Sequence, residues 1–295
     1  MFSLKDKKII INVDTGIDDA LAIILLCRYF PNNILGISTC GGNVDLDLVT
    51  ENSLAILSLL GLSVPVYSGS KKTVDEKEYI SAFDYHGKNG LCNIYLKNYL
   101  KPQKKEAVDF IVESAKRYKQ DLVIISLAPL TNIAKAILKD GEIKSYLKNV
   151  FIMGGVVNKL GNETKYAEFN FFQDPESVAI VLRSIKGIRL IPLDVTGKCF
   201  INKRDIDRFK NNKISNFISK AIKNWYDFFG NPKKRKFELY DPLAIGAVLG
   251  DFLKFRKAKF SIVQNGAKRG ALVTDKKGYE IEWAFEVKNR VFLKF

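Results

Sequence analysis

Three carboxylates fall within six positions near the start of the chain, in Asp14-Thr15-Gly16-Ile17-Asp18-Asp19. Anions that close repel one another, so they must take up protons or share a cation. An all-oxygen ligand set suits a hard ion, Ca²⁺ or Mg²⁺. Asp18 and Asp19 open an apolar-rich run, Ala20 to Phe30, that reads as a helix. Their side chains then point about 100° apart, so one can hold metal while the other meets a substrate. Acidic residues in a first helical turn also answer the helix dipole, which explains Asp18 and Asp19 and leaves Asp14 without a role. The single histidine, His86, lies in His86-Gly87-Lys88-Asn89-Gly90-Leu91. It sits beside glycine in a polar loop and not on an apolar face, which favours a mobile active-site role over a core one.

Those residues need elements to position them. Ile9 to Val13 is an apolar run of strand length that ends at Asp14, and Thr15-Gly16 breaks it. Asn33 to Thr39 reads as a second strand, and Leu46 to Leu60 as a helix stopped by Gly61. A β-α-β-α opening implies parallel strands and a right-handed crossover, and it puts Asp14 and Asn43 on one edge, where open α/β sheets bind ligands. By residue type alone Asn43 is equally a turn former. Further strands are expected at 64–67, 122–125, 150–153, 188–193, 260–263, 271–274 and 279–285, and helices at 105–118 and 214–229. Ser68 to Lys104 has little periodicity, and such a loop in a compact domain is usually functional. Asp174-Pro175-Glu176 and Asp241-Pro242-Leu243 both read as an Asp cap before a first-turn proline. Asp174 is assigned that structural role alone. The expected fold is a single α/β domain over residues 1–295 with a mostly parallel, Rossmann-like central sheet flanked by helices.

The chain has 295 residues, 47% of them hydrophobic, enough for a sizeable core. No apolar run is long enough to span a bilayer, and the amino terminus carries no signal-peptide pattern. The four cysteines have no zinc-site spacing. A reduced cytoplasm is the expected setting. The net charge of +15 raises nucleic-acid binding as a reading. The lysines are scattered, however, and aromatics are not interleaved with them as in single-strand binders. The densest cluster, Lys233-Lys234-Arg235-Lys236, reads as a solvated loop.

Asp14-Thr15-Gly16-Ile17-Asp18-Asp19-Ala20 resembles the amino-terminal signature of the inosine–uridine nucleoside hydrolases. That family usually has Asp where this chain has Asn12, and Pro where it has Thr15. Gly42-Asn43, the His86 segment, Ala128-Pro129-Leu130-Thr131-Asn132 and the stretch from Gly161 to Glu176 are similar to later family segments, in the same order. So is Asp241-Pro242-Leu243-Ala244, although Tyr240 stands where the family usually has His.

The resemblance implies a Ca²⁺-dependent ribonucleoside N-ribohydrolase that releases base and ribose, a salvage reaction. It implies Asp14, Asp19, the Leu127 carbonyl and Asp241 as calcium ligands, with Asp14 also the general base. Asp18, Asn43, Asn162, Glu168 and Asn170 would hold ribose. Met153, Phe169 and Trp225 would complete the substrate site, and His86 and Tyr240 would lie near the departing base. The implied assembly is a homodimer or homotetramer, with a ribonucleoside as partner and neither nucleic acid nor membrane. Two rivals differ in class. A haloacid-dehalogenase-type phosphatase needs a nucleophilic Asp at the position of Asn12. A non-catalytic nucleoside- or nucleic-acid-binding protein on the same fold would not need a full set of metal ligands.

Overall fold

The computed structural model describes residues 6–208, 211–229, 236–250 and 252–288. In chain order the elements are β1 (Lys8–Val13), α1 (Ile17–Tyr29), β2 (Ile34–Thr39), α2 (Leu46–Leu60), β3 (Val66–Tyr67), α3 (Phe83–His86), α4 (Ala107–Tyr118), β4 (Leu122–Ser126), α5 (Thr131–Lys139), β5 (Asn149–Met153), α6 (Phe169–Gln173) and α7 (Pro175–Ser184). They continue with β6 (Ile188–Ile191), α8 (Leu193–Thr196), β7 (Phe200–Ile201), α9 (Lys213–Phe229), β8 (Phe237–Glu238), α10 (Tyr240–Leu249), β9 (Leu253–Ile262), β10 (Leu272–Thr274) and β11 (Tyr279–Val287).

Among the described residues the main sheet has nine strands, in the order β10-β9-β11-β6-β5-β4-β1-β2-β3. From β11 to β3 every neighbouring pair is parallel, and β9 runs antiparallel to both β10 and β11. A parallel sheet needs cover on both faces, so its strands read as continuous apolar runs. Ile9-Ile10-Ile11 and Val123-Ile124-Ile125 show this. Ile9, Ile11, Val123 and Ile125 join the core under α1, α9 and α10, while Ile10 and Ile124 join the core under α4, α5 and α7. The single α/β domain with a mostly parallel sheet is therefore as expected.

Several boundaries differ from the expectation: β3 starts at Val66 and not at 64, α4 at Ala107 and not at 105, and β11 runs on to Val287. The strand expected at 188–193 ends at Ile191, because Pro192 lacks an N–H for the ladder and α8 begins at Leu193. The strand expected at 260–263 starts seven residues earlier, at Leu253. Its first part, Lys254 to Lys259, is largely exposed and pairs with β11, so charge masked the pattern. Asp241 is not a cap, since α10 begins at Tyr240 with Leu239 as its cap residue. Asp174 does cap α7, accepting from the Ser177 N–H at 3.0 Å, from the Thr131 hydroxyl at 2.6 Å and from the Val74 N–H at 2.9 Å. Of the basic cluster, Lys233, Lys234 and Arg235 lie outside the described residues. No helix among the described residues is long and apolar enough to cross a membrane.

Candidate active site

The carboxyl ends of β1, β2, β4 and β5 carry the residues that converge. The turn from β1 into α1 holds Asp14, Asp18 and Asp19, all buried. Asp19 sits at the third position of α1, and its carboxylate accepts the Gly16 N–H at 2.9 Å and the Asp14 N–H at 3.3 Å. The packing of α1 against α10 brings in Asp241 from the far end of the sequence. One oxygen from each of Asp18, Asp19 and Asp241 lies within 4.8 Å of the others. Asp14 stands just outside this trio. Its Oδ2 accepts the Asn43 N–H at 2.9 Å, and its buried Oδ1 has no hydrogen-bond partner among the described residues.

These carboxyls cannot all be ionised without a counter-charge. Burial raises the pKa of Asp14, followed by the neighbouring charge of Asp19. Burial raises Asp19 and Asp241 as well, with Asp18 the next cause for each. Asp18 is pushed up to about 6 by burial, against the pull of its backbone hydrogen bonds. A buried all-oxygen set with one orphaned oxygen fits a hard divalent cation, which would replace protons as the neutralising charge. The Leu127 carbonyl accepts from Asn170 Nδ2 at 2.7 Å and keeps a second lone pair.

A cavity of about 160 Å³ is bordered by Asp18 and Asp241, with Asp14 and Asp19 set behind its wall. Asp18, Asn43, Asn162, Glu168, Asn170 and Asp241 line it with polar groups, together with Leu127 and Met153. Tyr85, His86, Phe169 and Tyr240 line it with rings. Glu168 caps α6, accepting N–H groups from Gly155 at 2.8 Å and from Asn170 at 2.9 Å. Burial outweighs those bonds and pushes its carboxyl up to about 7. Asn162 Oδ1 accepts the Phe169 N–H at 2.9 Å and so fixes the loop beside it. His86 is buried, with Nδ1 accepting the Ile17 N–H at 3.1 Å. Burial holds its pKa down to about 3, so at neutral pH the ring is uncharged and carries its proton on Nε2.

Trp225 does not reach this cavity. It stands behind Tyr85, ring centroids 5.5 Å apart and edge-on. Tyr85 is the aromatic side chain that sequence reasoning passed over, and its only signal was its place directly before His86. Glu163 was also missed. It lines the cavity from the loop after β5, and partial burial raises its pKa.

Two glycines keep the turns close. A Cβ on Gly42 would fall 2.2 Å from Asp14 Oδ2, and one on Gly16 would fall 2.4 Å from His86 Nδ1. Gly42→Ala is therefore expected to push Asp14 aside and lower kcat/KM by about 10²-fold or more, because misplacing a reacting group by an ångström costs that much. Steady-state kinetics beside a far-ultraviolet spectrum checks this, and wild-type rates would contradict it.

Asn12 excludes the phosphatase reading. Its amide is fully buried and engaged, donating to Ser126 Oγ at 3.1 Å and accepting from Ser38 Oγ at 2.9 Å and Asn132 Nδ2 at 3.0 Å. No nucleophilic carboxylate occupies that place.

The family profile described as inosine-uridine preferring nucleoside hydrolase matches residues 9–294. The chain belongs to that family. This nucleoside hydrolase is 32% identical over 275 residues to the probable uridine nucleosidase 2 of Arabidopsis thaliana, covering 90% of this chain and 84% of the relative. It is 35% identical over 225 residues to the pyrimidine-specific ribonucleoside hydrolase RihA of Shewanella sp. (strain MR-7), covering 76% and 70%. Among solved structures, the purine-preferring ribonucleoside hydrolase of Gardnerella vaginalis superposes with a TM-score of 0.91 at 30% identity, covering 97% of this chain and 96% of that one. The nucleoside hydrolase thus has its sheet, its acidic turn and its cavity in an architecture that also serves relatives of opposite base preference.

Proposed function

We propose that this nucleoside hydrolase is Ca²⁺-dependent and cleaves ribonucleosides to free base and ribose for salvage. The observation that carries the reading is the buried trio Asp18, Asp19 and Asp241 beside the orphaned Asp14 Oδ1, with Asp18 and Asp241 bordering a cavity lined by further polar groups. The trio, with Asp14 and the Leu127 carbonyl, would hold the cation. When bound, such an ion lowers the pKa of a water and offsets the carboxylate charge.

The remaining steps belong to the protein. Glycoside hydrolysis passes through an oxocarbenium-like state at the anomeric carbon. Asp14 Oδ1 takes a proton from the attacking water while Oδ2 stays pinned by Asn43. The water oxygen bonds to the anomeric carbon, and the carbon–nitrogen bond breaks with its electron pair going to the base. Asp18, Asn43, Asn162, Glu168 and Asn170 hold the ribose hydroxyls, and the buried carboxylates favour the developing positive charge. A turnover panel of inosine, adenosine, uridine and cytidine with added Ca²⁺ tests this, by identifying free base and ribose. No cleavage of any of them would end the proposal.

The leaving base needs a hydrogen bond or a proton. Tyr240 is a weak acid here, since burial and then Glu238 raise its pKa further. His86 is uncharged, so we assign its Nε2–H a hydrogen bond to the base that spreads the developing negative charge without transferring a proton, and the released base takes its proton from solvent. His86→Ala should then slow natural nucleosides by about 10² to 10⁴ while p-nitrophenyl riboside, with an activated leaving group, loses far less. Equal losses on both would reduce His86 to shaping the pocket.

A further inference from the structure

A second cavity, of about 280 Å³, lies on the other side of Tyr85. Trp225, Phe228, Asn93, Asn224 and Asp227 line it, and among the described residues Tyr85 is the one side chain that borders both spaces. The Tyr85 ring fills the gap between three others, with centroids 4.9 Å from His86, 5.5 Å from Trp225 and 6.2 Å from Tyr240. His86 and Tyr240 mark the aromatic end of the first cavity, where a base would stack while the polar groups take the ribose. The Tyr85 ring is therefore the back wall of the base end.

The second cavity is built, not a gap in a floppy loop. Asn224 Nδ2 donates to the Cys92 carbonyl at 2.9 Å, tying the loop after His86 to α9. Cys92 and Asn93 both hold left-handed backbone, at φ 50° and 58°. Asn89 Oδ1 fixes that conformation by accepting the N–H groups of Leu91 at 3.0 Å and Asn93 at 2.9 Å. A cavity of roughly 150 Å³ admits benzene, so this larger space, open to solvent beside the exposed Phe228, has room for a phenyl group. Its ring lining suits an aromatic guest packed edge to face.

We propose that Tyr85 is the specificity-determining residue for the leaving group: its ring separates the base end from a second cavity and confines the protein to nucleosides whose base carries no bulky substituent. With the ring removed, the two spaces join, and the second cavity accepts an aromatic substituent on the base. The inference rests on the reading of the first cavity as the nucleoside site.

The test compares wild type, Tyr85→Phe, Tyr85→Ala and Tyr85→Leu. Two substrate pairs are used, adenosine with N6-benzyladenosine and uridine with 5-benzyluridine, and p-nitrophenyl riboside is the common reference. In Tyr85→Ala the ratio of kcat/KM for the benzylated to the plain nucleoside should rise by about 10-fold or more in at least one pair, the scale on which pockets discriminate by shape. Tyr85→Phe keeps the ring and should leave both ratios near wild type. Tyr85→Leu gives a smaller rise and serves if the alanine variant does not fold. Binding is read separately through Trp225 fluorescence in a Trp283→Phe background, since the chain has two tryptophans; the benzylated nucleosides should quench it when Tyr85 is Ala and not when Tyr85 is kept. An unchanged ratio and unchanged fluorescence in both shortened variants would overturn the proposal, as would wild type that already cleaves the benzylated compounds as well as the plain ones. Failure of wild type to cleave any riboside would contradict the hydrolase reading instead, and the fluorescence would still report on the partition.

Discussion

Asp14→Ala is expected to lose ribonucleoside hydrolysis by about 10³-fold or more in kcat/KM while keeping its fold. A positioned general base alone contributes about 10² to 10⁴, and Asp14 is also placed to complete the cation site. Its Oδ1 is buried and without a hydrogen-bond partner among the described residues, while Oδ2 is spent on the Asn43 N–H. The lost Oδ1 is thus an acceptor that the fold does not use for itself, while the loss of Oδ2 frees the Asn43 N–H. Removing it also relieves repulsion, because burial and then Asp19 raise its pKa. In chelator at pH 8 the variant should unfold no earlier than wild type. Kinetics on inosine and uridine and a thermal melt measure both halves. Activity within 10-fold of wild type would remove Asp14 from the mechanism.

The second large effect is on stability, and it depends on pH. Asp18 is pushed up to about 6 and Glu168 to about 7, in each case by burial first, and Asp14, Asp19 and Asp241 are raised as well. In the unfolded chain such groups release their protons near pH 4. Between that pH and about 7 the folded, metal-free protein therefore holds more protons than the unfolded one. Stability from these groups is fully present below about pH 4 and is lost as pH rises through 6 and 7. A divalent cation competes with those protons, so its benefit runs the other way. Ca²⁺ at about a hundred times its Kd adds about 2.7 kcal/mol, worth several degrees in a chain of this size. The shift between chelator and Ca²⁺ should be large at pH 8 and small at pH 5. Equal shifts at the two pH values would mean that the buried carboxyls are not the binding groups.

Much of this was legible in the residues, for identifiable reasons. The strands β1 and β4 are buried on both faces, so Ile9-Ile10-Ile11 and Val123-Ile124-Ile125 announce themselves by composition. The acidic turn was readable because three carboxylates so close demand a common explanation. The role of Asp241 came from resemblance, since only the packing of α1 against α10 brings it to Asp18 and Asp19. The opening of β9 was hidden, because an antiparallel strand at the edge of the core keeps Lys254, Arg256, Lys257 and Lys259 in solvent. Tyr85 was hidden for a different reason. Its stretch of sequence has no periodicity, and apart from the adjoining His86 nothing in its neighbours tells that it, and not Trp225, meets the cavity. Which aromatic faces a pocket is decided by how α3 and α9 pack, a tertiary fact without a local signature.

The most direct measurement is the rate of ribose release from inosine and uridine by protein stripped with excess chelator, before and after Ca²⁺ is restored. Negligible release from the stripped protein and full recovery with Ca²⁺ are expected. Undiminished release in chelator would contradict the proposed Ca²⁺ dependence.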